Sequence, residues 1–359
     1  MSLHTEGSGG RIHIEPFHRI VAEAVRARLF SEGGCQPRSL ALSRRPRLCP
    51  HIHAQNAPLA EARVFAFLLA ADKREAVDVK ADDFDGVSFY VQIVPEQREV
   101  LRVSLMAPCF DAVKEAVGDK YFEDLYVNAY SAIEPPQPGY HLTVAVNLDA
   151  VPDDAAAKEE IVMRLSTMKR DVVGAPMWVC FKALLAGTNP PRASYVIPYR
   201  PHESMYVIPS DDLVVICYTV HFQNHVEQAI AKVFMQEIMI SRKQNKDLMT
   251  APSVTFSTEP PHELKQVPGL DLVQPADFIG YVSLAISKRI VEGGRLEKCV
   301  SLVEGYRSFL MYHVQATKSQ VHTRIRRRAS SWLQVLNRAM PEKLNVEKKT
   351  IKGRTFNRT

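Results

Sequence analysis

The sequence predicts an α+β protein: two successive α/β sandwich-like domains of similar fold, each an antiparallel sheet packed by helices, then a long C-terminal helix. Three observations predict it. Strand-like and helix-like patterns follow one another in the order β-β-β-α-β-β-α, and that order occurs twice without any residue-level repeat. Helices gathered around antiparallel strands make a layered α+β architecture. Near the end of the chain, Leu296, Val300, Val303, Leu310, Val314, Val321, Ile325, Trp332 and Leu336 fall on one face at about 100° per residue.

Residues 1–18 are polar and Gly-rich and read as a flexible N-terminus. In Arg19–Phe30 the residues Ile20, Ala24, Val25 and Leu29 share a helical face. Residues 31–60 are rich in Pro, Arg and Ser and aperiodic, so they read as a dispensable loop, followed by a short helix at Leu59–Ala70. Strands are predicted over Ala76–Lys80, Val87–Val94 and Glu99–Met106, with a helix over Asp111–Phe122. Two more strands, Tyr126–Ile133 and His141–Asp149, flank the turn "EPPQPG", and one long helix fits Asp154–Leu185.

After the linker "AGTNPPR" the order begins again. Strands are expected over Ala193–Pro198, Ser204–Ile208 and Leu213–Phe222, a helix over His225–Lys243, and strands over Ser253–Ser257 and Ile279–Ile286. The last helix starts near Gly294 and stops at Pro341. Unbroken, it would span roughly 70 Å. The domain bounds that follow are 19–188 with an insertion at 31–74, 189–290, the helix 291–340 and a basic tail 341–359.

A chain of 359 residues suits two domains, and 46% hydrophobic with 24% charged residues is ordinary for a globular protein. The longest apolar run, Val64–Ala71, is far short of a membrane span. The N-terminus lacks the charged-then-apolar pattern of a signal peptide, and the six cysteines form no CxxC pair. These features predict a cytosolic chain. There is no phosphate loop, G-x-G-x-x-G, H-E-x-x-H or G-x-S-x-G, which argues against an NTPase, a dinucleotide enzyme, a zinc protease or an α/β-hydrolase.

Two motifs invite a metal and neither fits one. "DDFDG" (Asp82–Gly86) lacks the carboxylates that a calcium loop needs at Ala81 and Gln92, and reads as a tight turn. "CPHIH" (Cys49–His53), with Cys35 upstream, matches no four-ligand zinc spacing. No metal and no cofactor is expected.

Charge is distributed unevenly. From Lys318 to Thr359 there are 12 basic and 2 acidic residues, a net of +10, and the whole chain carries +5, which leaves the remainder at −5. A basic tail on a mildly acidic body points to a polyanionic partner: nucleic acid, lipid or an acidic protein surface. Single-strand binding would interleave aromatics with the charges, and Trp332 is the only aromatic nearby. Lipid binding would need the apolar face free. A protein partner uses both the stripe and the charges; nucleic-acid binding by the basic helix and tail is the alternative, and a solvated face the plainest reading. "RRAS" (Arg327–Ser330) matches a basophilic kinase site, but such sites need an extended chain and this one falls inside the helix.

Several strings then point to one family: "AVDVKADDFDGVSFY" (Ala76–Tyr90), "MYV" (Met205–Val207), "KVFMQE" (Lys232–Glu237), "TAPSVTFSTEPPHELK" (Thr250–Lys265), "IGY" (Ile279–Tyr281), "HTRIRRRASSWLQVLNRAMP" (His322–Pro341) and "TIKGRTF" (Thr350–Phe356). In this order they resemble the subunit 2 family of the actin-related protein 2/3 complex, over about 19–30 and 75–359. The resemblance implies two α/β domains of like fold and no catalysis by this chain. It implies pairing with subunit 4 through long helices, a core that holds the two actin-related proteins, and binding to the side of the mother actin filament. On it, Arg324, Arg326, Arg327, Arg328, Arg338 and Lys343 are expected at the filament. Leu310, Val314, Val321, Ile325, Trp332 and Leu336 are expected at the partner subunit. A cytoplasmic, cytoskeletal place follows. Residues 31–74 have no counterpart in the family. Arg327 replaces a small residue, and Gln334 and Met340 stand where the family is basic.

Overall fold

The computed structural model describes residues 3–5, 12–14, 17–30, 76–248, 251–267, 270 and 277–339. The expected loop at 31–60, the helix at Leu59–Ala70, Cys35, Cys49, His51, His53, Lys343 and the basic tail lie outside them.

The short strands β1 (Leu3–Thr5) and β2 (Ile12–Ile14) pair antiparallel, and α1 spans Arg19–Leu29. The first five-stranded sheet comprises β3 (Val77–Asp82), β4 (Ser88–Ile93), β5 (Val100–Met106), β6 (Ser131–Glu134) and β7 (Leu142–Asn147). Between β5 and β6 lie α2 (Phe110–Val117) and α3 (Asp119–Tyr126). After β7 come α4 (Ala155–Ser166), α5 (Met168–Val173) and α6 (Ala175–Ala186). The second sheet comprises β8 (Tyr195–Arg200), β9 (Glu203–Pro209), β10 (Leu213–His221), β11 (Ser253–Ser257) and β12 (Phe278–Ser287). Here α7 (His225–Gln244) follows β10, α8 (His262–Lys265) precedes β12, and α9 (Lys288–Val291), α10 (Leu296–Glu304) and α11 (Tyr306–Ala339) close the described chain.

The spatial orders are β3-β4-β5-β7-β6 and β8-β9-β10-β12-β11, so both sheets follow 1-2-3-5-4. Every pairing is antiparallel, with Val103 opposite Val144 in the first sheet and Ile216 opposite Leu284 in the second. The repeated order expected from the sequence is therefore a repeated topology. Burial explains why alternation shows in some strands and not others. In β4 the residues Phe89, Val91 and Ile93 point inward and their neighbours are half-buried. The seven central residues of β10 are all buried, so that strand is apolar nearly throughout. The buried Ser104 of β5 and Thr143 of β7 share a 2.8 Å hydrogen bond.

Helix starts obey local chemistry. Asp154 caps α4 by accepting from the Ala157 N–H at 3.0 Å, and Asn224 caps α7 by accepting from Val226 at 2.9 Å.

Four expected elements differ in extent. The helix at Asp111–Phe122 is two helices, because Gly118 sits at φ 83°, outside helical space. The strand expected from Tyr126 begins only at Ser131. Tyr126 ends α3, and the Asn128 side chain accepts from the Tyr130 and Ser131 N–H groups, forming a turn. The helix expected at Asp154–Leu185 breaks at Thr167 and Gly174. A Cβ on Gly174 would lie 2.6 Å from Val300 Cγ1 and 2.6 Å from the Arg170 carbonyl oxygen, so α10 approaches where only glycine fits. The final helix is interrupted at Gly305, which leaves a continuous α11 of 34 residues, about 50 Å long.

Candidate interaction surface

The first turn of α11 is held to both sheets by buried charge. Arg307 gives hydrogen bonds to Glu203 of β9 at 2.7 and 2.9 Å and to the His221 carbonyl at 3.0 Å, and its guanidinium lies 4.6 Å from the Phe222 ring centre. Burial alone would lower the pKa of Arg307; its bonds to Glu203 outweigh that and raise it. Glu203 is as enclosed as Arg307, both side chains being 2% exposed. It also accepts from the His221 N–H at 2.8 Å. Just upstream, the Val303 carbonyl accepts from the Tyr218 hydroxyl at 2.9 Å.

A second cluster reaches the first sheet through "DDFDG". Phe84–Gly86 forms a single 3-10 turn with Asp85 at φ 67°, which confirms the tight turn. The turn aims two carboxylates inward. Lys169 of α5 lies 3.5 Å from Asp83, 3.4 Å from Asp85 and 3.7 Å from Glu304, and these side chains are between 5% and 9% exposed. Arg200 of β8 reaches Asp85 at 3.3 Å and Glu203 at 3.5 Å, and Ser308 of α11 gives Asp85 a 3.3 Å bond. Burial would lower the pKa of Lys169, but Glu304, Asp83 and Asp85 outweigh it and raise it. Burial pushes the Glu304 carboxyl up, against the pull of Lys169. Asp83 is held below its ordinary value, since Lys169 and a hydrogen bond from the Phe84 N–H outweigh its burial. Among the described residues no group of three or more His, Cys, Asp or Glu is placed to hold a metal ion. The sequence showed the acidic turn. It did not show Lys169 or Arg307, because their partners lie 84 to 135 and 104 positions away.

Farther along α11 the surroundings change. The stripe expected at a partner subunit divides. Leu310 and Val314 are 0% exposed in the single chain. Val321, Ile325, Trp332 and Leu336 are 39%, 60%, 63% and 45% exposed. Periodicity marks an apolar face; it does not say which chain covers it. Leu333 and Val335, which the stripe did not include, are exposed at 63% and 54%. From Ser319 to Ala339 every residue but Thr323 is exposed. Arg324, Arg326, Arg327, Arg328 and Arg338 all lie on this exposed helix. At 100° per residue Arg324 and Arg328 flank one edge of the stripe, Arg326 lies beyond the other, and Arg327 faces away. Among the described residues no helix is long and apolar enough to cross a membrane.

Two antiparallel five-stranded sheets packed by helices, with a long helix whose far half exposes an apolar stripe and an arginine cluster, define the class as a mixed α+β protein with an extended helix. A family model described as the Arp2/3 complex 34 kD subunit p34-Arc matches residues 103–343, and the chain belongs to that family. It is 29% identical over 304 residues to actin-related protein 2/3 complex subunit 2 of Schizosaccharomyces pombe, covering 80% of this chain and 93% of the relative. It is 29% identical over 279 residues to subunit 2A of Arabidopsis thaliana, covering 75% and 85%.

Proposed function

We propose that the chain is a non-catalytic structural subunit of an actin-related protein 2/3 complex in the cytoplasmic actin cytoskeleton. It pairs with subunit 4, holds the two actin-related proteins, and binds the side of a mother filament so that a branch can be nucleated. Family membership supports the first part of this reading. The observation that carries the second is the exposed half of α11. Its stripe of Val321, Ile325, Trp332 and Leu336 offers an apolar seam to a partner helix. Arg324, Arg326, Arg327, Arg328 and Arg338, with Lys343 beyond, offer positive charge to an acidic filament. The domain bounds of this reading are 19–188 and 189–290, which would give each domain one of the two sheets.

Purification of the native assembly tests the reading. Stoichiometric actin-related proteins and salt-sensitive co-sedimentation with actin filaments are the expected results. Association that survives only with RNA or DNA would replace it with the nucleic-acid alternative.

A further inference from the structure

The basic helix carries a serine that neither the apolar seam nor the filament reading uses. Ser330 follows Arg326, Arg327, Arg328 and Ala329 directly, and it is exposed. At 100° per residue Ser330 lies about 150° from the middle of the Val321–Ile325–Trp332–Leu336 stripe. A partner helix on that stripe therefore leaves Ser330 open. Arg326 and Arg327 precede it by four and three residues, which places them one turn away on its own side.

A kinase needs an extended segment, and the helix resists that only weakly here. From Arg327 to the helix end at Ala339 no side chain is buried. Ser330 lies nine residues before the described helix end at Ala339, and helix ends open locally at little cost.

We propose that Ser330 is a phosphorylation site for a basophilic serine/threonine kinase, one that selects arginines two and three residues before its serine. The Ser330 Oγ attacks the γ-phosphorus of ATP and the bond to the β–γ bridging oxygen breaks. ADP leaves, and the hydroxyl proton passes to the base of the kinase. The phosphate brings a charge of about −1.5 to −2 beside Arg326 and Arg327 and pairs with both. It thereby cancels about half of the positive charge of Arg324, Arg326, Arg327 and Arg328. The modification weakens attraction to an acidic surface while leaving the seam untouched. That consequence rests on the filament reading; the site itself does not.

The test uses the assembled complex, ATP and the catalytic subunit of cyclic-AMP-dependent protein kinase, with phosphopeptide mass spectrometry as the first readout. Phosphate on Ser330 is expected, absent in Ser330→Ala and at least tenfold slower in a variant carrying both Arg327→Ala and Arg328→Ala. An unmodified Ser330, while a synthetic peptide of residues 322–336 is phosphorylated in the same tube, overturns the site. So does an undiminished rate without the two arginines. The second readout is co-sedimentation with actin filaments, in which the phosphorylated complex should bind at least threefold more weakly. Equal binding by both forms overturns the charge effect. If neither form pellets, the filament reading fails, and the mass readout still decides the site.

Discussion

Arg307 in the first turn of α11 and Arg326, Arg327 and Arg328 near its other end are the same side chain on the same helix, yet their surroundings are opposite. The Arg307 side chain is 2% exposed and bound to Glu203, a backbone carbonyl and a ring face. The other three are exposed. A buried guanidinium must keep its partners, because desolvation is repaid only by close ionic contact. An exposed one has no such obligation, is worth little to folding and remains available to a second surface. The comparison teaches that one end of the helix is bound into the fold, while the exposed end is under no such constraint.

The largest effect should come from breaking the buried end. Glu203→Ala leaves Arg307 as an uncompensated buried charge and should cost about 3–5 kcal/mol, read by urea unfolding of the whole chain. Adding Arg307→Met to Glu203→Gln should recover most of that loss, because an apolar side chain makes no ionic demand. A loss below about 1 kcal/mol for Glu203→Ala would show that the pair does not hold the helix.

The next largest concerns the open stripe. Ile325→Asp with Trp332→Asp should abolish co-purification of the partner subunit, since each buried apolar side chain is worth roughly 1.5–3 kcal/mol. Unfolding of the isolated chain should not change, because both positions are exposed there. Undiminished co-purification would mean that this stripe is not the seam.

Smaller still, Arg326→Glu, Arg327→Glu and Arg328→Glu together should weaken filament co-sedimentation of the intact complex by more than tenfold. Single exposed contacts contribute only about 0.2–1 kcal/mol, so the effect depends on the cluster. The wild-type affinity should fall with added salt, as screening shortens to about 8 Å near physiological ionic strength. Equal pelleting at low salt would leave the cluster as a solvated face.

The smallest expected effect is a proton linkage at the buried end. Burial holds the Glu304 pKa above its ordinary value. Its contribution to stability is therefore complete below the ordinary carboxylate pKa and is lost as pH rises through the folded value. Glu304→Gln should flatten that decline between acid and neutral pH, and Lys169 keeps Asp83 and Asp85 in the variant. An unchanged pH profile of unfolding would show that Glu304 does not titrate with folding.

Much of this comparison was legible in the chain itself. The strand at Val87–Val94, the Asp85-Gly86 turn and the 100° stripe are local chemistry, and each was expected from residue order. The pattern of arginines beside an apolar stripe from Val321 to Leu336 was legible too, because it needs no distant partner to be recognised; which part of the stripe is exposed was not. Leu310 and Val314 were not separable from that stripe, since they share its period and differ only in what covers them.

The sequence by itself determined the class of fold, the repeated order of elements, the last helix with its charge, and the family. These depend on residues near one another along the chain. Only the tertiary structure decided that α5 and α6 part where Val300 crowds Gly174. It alone showed Lys169 gathering Asp83, Asp85 and Glu304, and Arg307 docking on Glu203. Those contacts join residues that lie on average a hundred or more positions apart, and no local period encodes a neighbour that arrives only when the sheets and helices pack.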